Sequence, residues 1–216
     1  MKPLAKAVLC TLAYADIFDY PLKDEEIWRF LISTKKESPA SVKRVLLELP
    51  QVSQKENYYF LKAKKDLAAL RRKRARLSKK KLKIASKIAG WLKLVPFIKL
   101  VALTGALAME NSQKDDDIDF LIVTSKNRLW LTRLLIVLLI ELVDSRRRPG
   151  DKKFKDKVCL NMFLTENHLA LPKKERDLFS AHEVCQMRIL WEKDDTYQKF
   201  LKANQWVKRY LPNWKT

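Results

Sequence analysis

Residues 104–124 read TGALAMENSQKDDDIDFLIVT, and the alternation at the end of this run decides the fold. Side chains two apart on a strand share a face. A strand over 117–123 therefore puts Asp117 and Asp119 on one side and Ile118, Phe120 and Ile122 towards a core. Upstream, Leu100–Leu103 is a short apolar strand, Thr104-Gly105 turns the chain, and Ala106–Asn111 can make a helical turn or two. Downstream come a helix over 127–143 and a further strand, VCLNMFL, at 158–164. Strand, helix, strand, helix, strand is an α/β order. The run LWLTRLLIVLLIELV at 129–143 imitates a membrane span, but it falls short of the ~20 apolar residues a span needs and carries Arg133 and Glu141. The expectation is a helix buried against the sheet, and no membrane.

Two carboxylates a few ångströms apart repel by roughly 3–4 kcal/mol at an effective dielectric near 20. A divalent cation reverses that sign. Magnesium prefers a few carboxylates plus phosphate oxygens to a full protein cage. A pair of such ions stabilises the attacking and leaving oxygens of a phosphoryl or nucleotidyl transfer. Asp117 and Asp119 are thus the candidate catalytic metal ligands. Gly105 lets the backbone approach phosphate, and the helical turn after it offers free N–H groups. Lys126, Arg128 and Arg133 start the helix after the acidic strand and are candidates to meet a triphosphate. For Arg133 the alternative is an ion pair with Glu141 or Asp144.

The Thr104-Gly105-Ala106 turn, followed by Asp117-Ile118-Asp119 at the start of a strand, resembles the DNA polymerase beta-type nucleotidyltransferase superfamily, and the bacterial minimal nucleotidyltransferases most of all. The resemblance implies magnesium- or manganese-dependent transfer of a nucleoside monophosphate from an NTP to an acceptor. It implies a small mixed sheet with helices, with Gly105 and Ala106 cradling phosphate through their backbone. Two positions depart from the pattern. Ala106 stands where a serine or glycine is usual. The strand VCLNMFL supplies no third acid; it offers Cys159 and Asn161 on one side, with Asp156 at its edge. Asn161 is then a supplementary metal contact.

The rest of the chain is of different material. Residues 4–17 have helical spacing, Asp24 reads as an N-cap, and Ser38-Pro39 opens a third helix. Val52 and Tyr58–Leu61 flank a polar SQKEN turn and read as a β-hairpin. Three helices and a hairpin are the order of a winged helix, with Ser41, Lys43 and Arg44 on the exposed face of its third helix. Residues 62–95 lack proline and predict one long helix. Its apolar seam is Leu67, Leu70, Leu77, Ile84, Ile88 and Trp91, interrupted by Arg74 and Lys81. Its basic face carries Arg71, Arg72, Lys73, Arg74, Arg76 and Lys79–Lys81. Lys43, Arg44, Arg71, Arg72, Arg74 and Lys80 are the candidate contacts to DNA or RNA. Arg146, Arg147 and Arg148 read as a solvated patch. Lys173–Leu190 and Asp195–Tyr210 predict two terminal helical segments, with Trp191, Trp206, Tyr210 and Trp214 in the core.

The expected layout is a mixed α/β chain with a winged-helix-like region at 1–62, a basic connector helix at 63–96, a nucleotidyltransferase core at 97–165 and a helical region at 166–216. Net charge is +20 over 216 residues, which attracts phosphate-rich partners. The cysteines, Cys10, Cys159 and Cys185, are odd in number and have neither CxxC nor histidine at ligand spacing, so neither a disulfide framework nor a zinc site is expected. His182 sits in AHEVC, which lacks the second histidine of a zinc protease. The start MKPLAKAVLC carries no signal pattern, and a cytoplasmic location is expected. Two function classes follow. One is a nucleotidyltransferase acting on a nucleic acid, a protein or a small molecule. The other is a nucleic-acid-binding regulator, or an antitoxin-like protein, with a degenerate core.

Overall fold

A computed structural model describes residues 2–62, 67–143, 146–147 and 155–214. Helices α1 (Pro3–Asp16), α2 (Asp24–Arg29) and α3 (Pro39–Glu48) precede strands β1 (Val52–Lys55) and β2 (Tyr58–Leu61) and the long helix α4 (Leu67–Leu92). Then come β3 (Ile98–Leu103), α5 (Gly105–Ala108), β4 (Ile118–Thr124), α6 (Leu129–Leu142) and β5 (Val158–Thr165). The chain continues through α7 (Leu178–Gln186), β6 (Arg188–Glu192) and α8 (Thr196–Ala203), ending in a 3-10 turn at Gln205–Arg209. The fold is mixed α/β, and among the described residues no helix is long and apolar enough to cross a membrane.

Two compact units are present. One comprises Met1–Lys73, Arg176–Cys185 and Trp206–Thr216; the other comprises Arg74–Glu175 and Gln186–Gln205.

In the first unit α3 starts as its sequence predicts: Pro39 fills the first turn and Ser38 Oγ accepts from Ser41 N at 3.1 Å. In α2 Asp24 lies inside the helix; the cap is Lys23, whose N–H donates to Glu26 Oε2 at 2.8 Å. The hairpin is tighter than the SQKEN reading. Val52↔Leu61 through Lys55↔Tyr58 are paired, so Ser53 to Lys55 are strand and the turn is Glu56-Asn57, with Glu56 at φ 55. Thr11 Oγ1 accepts from Ile32 N at 2.9 Å, fastening α1 to the segment after α2. Asn213 takes Glu37 N on its carbonyl oxygen and donates to Trp28 O, at 2.9 and 2.8 Å.

The second unit holds a four-stranded sheet of order β5-β4-β3-β6. β3 is antiparallel to both β4 and β6, and β4 is parallel to β5. Ile118, Phe120 and Ile122 enter the core with Ala85, Ile88 and Leu92 of α4 and Ile136 and Ile140 of α6. Fully burying each such side chain contributes about 1.5–3 kcal/mol.

The terminal region departs from the helical expectation. Arg188–Glu192 is a strand, with Val101↔Trp191 and Ala102↔Ile189 paired. Ile, Leu and Trp suit a strand, and β3 would otherwise have an open edge. Helix α6 is buried on one face only, through Thr132, Ile136 and Ile140. Trp130 (77% exposed), Leu131, Leu134, Leu138 and Leu142 (84%) face solvent, so the helix expected against the sheet is buried on that one face and not all round. The seam of α4 is also displaced. Its buried positions are Leu67, Ala68, Arg71, Ser78, Lys81, Ala85, Ile88, Ala89 and Leu92, beside the half-buried Leu70, Leu77, Ile84 and Trp91.

Candidate functional site

The second unit brings its chemistry to one end of the sheet, where β3 finishes and β4, β5 and β6 begin. At the close of β3, Thr104 N donates to Asp119 O at 3.1 Å. Gly105 then takes φ +65, a left-handed value that a side chain disfavours. A Cβ built on Gly105 would lie 3.0 Å from Asp119 Oδ2, so the glycine opens a cradle over that carboxylate. The turn of α5 closes with Asn111 N donating to Ala106 O at 2.8 Å.

The loop that delivers the aspartates is fastened by α4. Ser112 N donates to the buried Ser78 Oγ at 3.0 Å, and Arg74 reaches Asn111 Oδ1 at 3.2 Å. Lys81 is only 3% exposed; its Nζ donates to Asp116 O at 2.5 Å and to Asp156 Oδ1 at 2.7 Å. Gln113 N donates to Asp116 Oδ2 at 2.7 Å. Asp116 and Asp156 are thereby occupied in the loop's architecture. The apparent interruptions of the α4 seam, Arg74 and Lys81, are its fastenings.

Asp117 and Asp119 stand on the side of β4 away from Ile118 and Phe120, as alternation requires. Cys159 is the direct cross-strand partner of Asp119. One ligand atom from each of Asp117, Asp119 and Cys159 lies within 4.8 Å of the other two. Burial, then the neighbouring Asp117, raises the Asp119 carboxyl above its usual range. Burial and the hydrogen bond to Asp119 push the Cys159 thiol up to about 12. Arg147, read from sequence as part of a solvated patch, forms an ion pair with Asp117. Its backbone is held by a hydrogen bond to Val158 O at 2.8 Å. Arg148 and Gly150 lie outside the described residues. Arg188, opposite Leu103 on β6, pairs with Glu110 at 3.0 Å on the same rim.

Asn161 does not keep strict alternation with Cys159. Asp119↔Cys159 is followed by Leu121↔Met162, so β5 carries one extra residue there. Such a bulge breaks alternation, and Asn161 is exposed. Lys126 and Arg128 follow the far end of β4. At about 3.3 Å per residue, Lys126 lies roughly 20 Å along the chain from Asp119. Glu166 Oε1 accepts from Lys126 N at 2.9 Å, and Arg128 lies 5.1 Å over the Phe97 ring. Arg133 stacks over Phe163 and Trp130, at 5.3 and 5.9 Å, while Glu141 pairs with Arg146. Asp144, the other acid considered for Arg133, lies outside the described residues. The structure thus brings Gly105, Asp117 and Asp119 together and sets these three cations elsewhere. Ala106 is exposed beside Gly105.

Of the candidate nucleic-acid contacts, Arg71 is turned inward. It is 7% exposed, donates to Pro21 O and Glu26 Oε1 at 2.8 Å each, and lies 3.6 Å over the Tyr20 ring. Arg72 pairs with Glu56, and Lys43 with Asp24 at 3.2 Å. Arg44 and Lys80 are exposed.

The raised Asp119 carboxyl bears on stability. The folded chain holds this proton more tightly than the unfolded chain does. The stability it contributes is present below the ordinary carboxylate pKa and is lost as pH rises through the raised value. In the absence of divalent cations, Asp119→Asn is therefore expected to melt above the wild type at neutral pH. The gap should close in acid. Thermal unfolding at the two pH values checks it; a variant that melts below wild type at neutral pH contradicts it.

No known protein family matches this chain, and no curated protein matches it. Among solved structures, a crystal structure of a toxin-antitoxin with AMP-PNP aligns at 14% identity, covering 57% of this chain and 89% of that chain, with a TM-score of 0.34. A likeness that slight carries no argument, and the functional reading rests on the site's own residues.

Proposed function

We propose that this chain is a divalent-cation-dependent nucleotidyltransferase, moving a nucleoside monophosphate from an NTP to an acceptor hydroxyl. The observation that carries the reading is the open cradle of Gly105 over Asp119, with Asp117 on the same strand face. Asp117 and Asp119 by themselves suit a divalent cation such as magnesium, which takes one or two carboxylates and completes its shell with water and substrate phosphate. A bound cation would supply charge for the developing phosphoryl oxygens. Asp117 and Asp119 would hold it. Gly105 keeps their approach clear, and the N–H of Ala106 is placed to donate to a phosphate oxygen. Arg147, paired with Asp117, would offer its guanidinium to the triphosphate. Lys126, Arg128, Arg133 and Asn161 have no part in this reading.

The second reading is a nucleic-acid-binding regulator, or an antitoxin-like partner, whose core no longer turns over. It is favoured by the third position, which holds the thiol of Cys159 instead of a carboxylate. Helices α1–α3 and the hairpin would form a winged helix, with Lys43 and Arg44 on phosphates.

The deciding experiment offers each α-labelled NTP with magnesium or manganese, and total RNA or cell lysate as acceptor. An Asp117→Asn/Asp119→Asn variant stands beside the wild type. Pyrophosphate release and label transfer that vanish in the variant support the transferase. Equal silence, together with nucleic-acid binding that falls steeply with salt, would favour the regulator.

A further inference from the structure

We propose that Cys159 is the third ligand of the Asp117–Asp119 site, and that its sulfur makes this a site for a borderline cation of the zinc and cobalt class ahead of magnesium. The inference deepens the transferase reading and rests on it for the site's purpose.

The position of Cys159 is set by sheet register. β5 runs parallel to β4 and places Cys159 directly beside Asp119. That register and the closeness of its sulfur to both carboxylates put the thiol on the side of the strand that carries the acids. The three donor atoms already lie within 4.8 Å of one another. Metal–oxygen bonds of about 2.0–2.2 Å and metal–sulfur bonds of about 2.3 Å put tetrahedral ligand atoms roughly 3.5 Å apart. A bound cation would have to draw the three atoms closer by rotation of their side chains.

Two nearby oxygen donors are already engaged, and a third is shifted in register. The bulge after Cys159 leaves Asn161 exposed and out of strict alternation with Cys159. Asp156 and the Asp116 carbonyl are held by Lys81. Among the described residues, Asp117, Asp119 and Cys159 are the one set of acidic, cysteine or histidine groups that converges in this way. Two carboxylates alone suit magnesium or manganese. Adding a thiolate moves preference towards zinc and cobalt, because sulfur is a soft ligand and magnesium a hard ion. Ligation is a proton exchange: the cation takes the sulfur, and the thiol proton leaves to solvent.

Cobalt(II) titration of the full chain tests this without reference to activity. A cobalt–thiolate bond gives a charge-transfer band in the near ultraviolet, and a tetrahedral site gives visible d–d bands. Wild type is expected to show both. Cys159→Ser is expected to lose the charge-transfer band and at least about tenfold in cobalt affinity. Cys159→Asp, which restores an all-oxygen set, should lose the band while binding magnesium about tenfold more tightly, read by competition. Circular dichroism of each variant controls for folding.

Cobalt bound to wild type without the sulfur band would overturn the proposal, and so would equal affinity in Cys159→Ser. In either case metal-dependent turnover that disappears in Asp117→Asn/Asp119→Asn would leave the transferase standing. Conversely, a sulfur band with no turnover of any NTP supports Cys159 as ligand and removes the transferase.

Discussion

Alanine at Gly105 is expected to lower metal-dependent nucleotide turnover about 100-fold in a chain that still folds. Two effects add at this position. An alanine held at φ +65 costs about 1–2 kcal/mol. Its Cβ would also sit 3.0 Å from Asp119 Oδ2, and the carboxylate is the part free to move. A displacement on the order of 1 Å at a reacting centre is worth about 100-fold in rate. Gly90 is the internal control. It lies within α4, and a Cβ there meets nothing within 4 Å. Gly90→Ala is expected to raise stability by about 0.5–1 kcal/mol and leave turnover unchanged. Single-turnover kinetics and melting curves on both variants separate the two outcomes. Full activity in Gly105→Ala would show that the cradle is not used.

Lys81→Met is expected to give the largest loss of stability, about 3 kcal/mol. The methionine keeps the volume and removes the charge. Asp156, whose side chain is 33% exposed, loses its partner at 2.7 Å, and the Asp116 carbonyl loses its donor at 2.5 Å. Partial exposure of Asp156 keeps the expected cost at the lower end for a broken buried pair. A melting temperature lowered by roughly 10 °C is the readout. Adding Asp156→Asn removes the stranded charge, so the double variant should recover part of the loss. Asparagine also tolerates the φ of 60 at that position. If Lys81→Met melts within a degree of wild type, the lysine is not the fastening described above.

Local pattern made the centre of the molecule legible. The alternation from Asp117 to Val123 puts the acids on one face and Ile118, Phe120 and Ile122 in the core, and the Thr104-Gly105 turn marks the end of the strand before them. What was not legible depends on partners far along the chain. Cys159 and Asn161 look equivalent under strict alternation, and a bulge of one residue separates them. β6 reads as the end of a helix until β3 is seen to lack a neighbour. Arg71 and Lys81 are indistinguishable by composition from Arg72 and Lys80. Only the register of α4 turns one pair inward and the other to solvent. Lys126 and Arg128 were drawn to the acids by adjacency in sequence, although β4 carries the chain away from the site before α6 begins. Arg147 sits at the site because it lies beside Val158.

The discontinuity of the first unit governs the order in which it can be completed during synthesis. Trp28 and Glu37 bond to Asn213, and Ser33 N donates to Tyr210 O at 3.3 Å. These partners leave the ribosome some 176 residues or more after Ser33 and Glu37 do, as the Glu37–Asn213 spacing shows. At about 5–20 residues per second, the amino-terminal helices wait roughly ten seconds or longer for them. During that interval Trp28 and the backbone around it have no native neighbour from the carboxyl-terminal segment. A nascent chain stalled before residue 205 should therefore be cut by protease within the first helices at positions that the released chain protects.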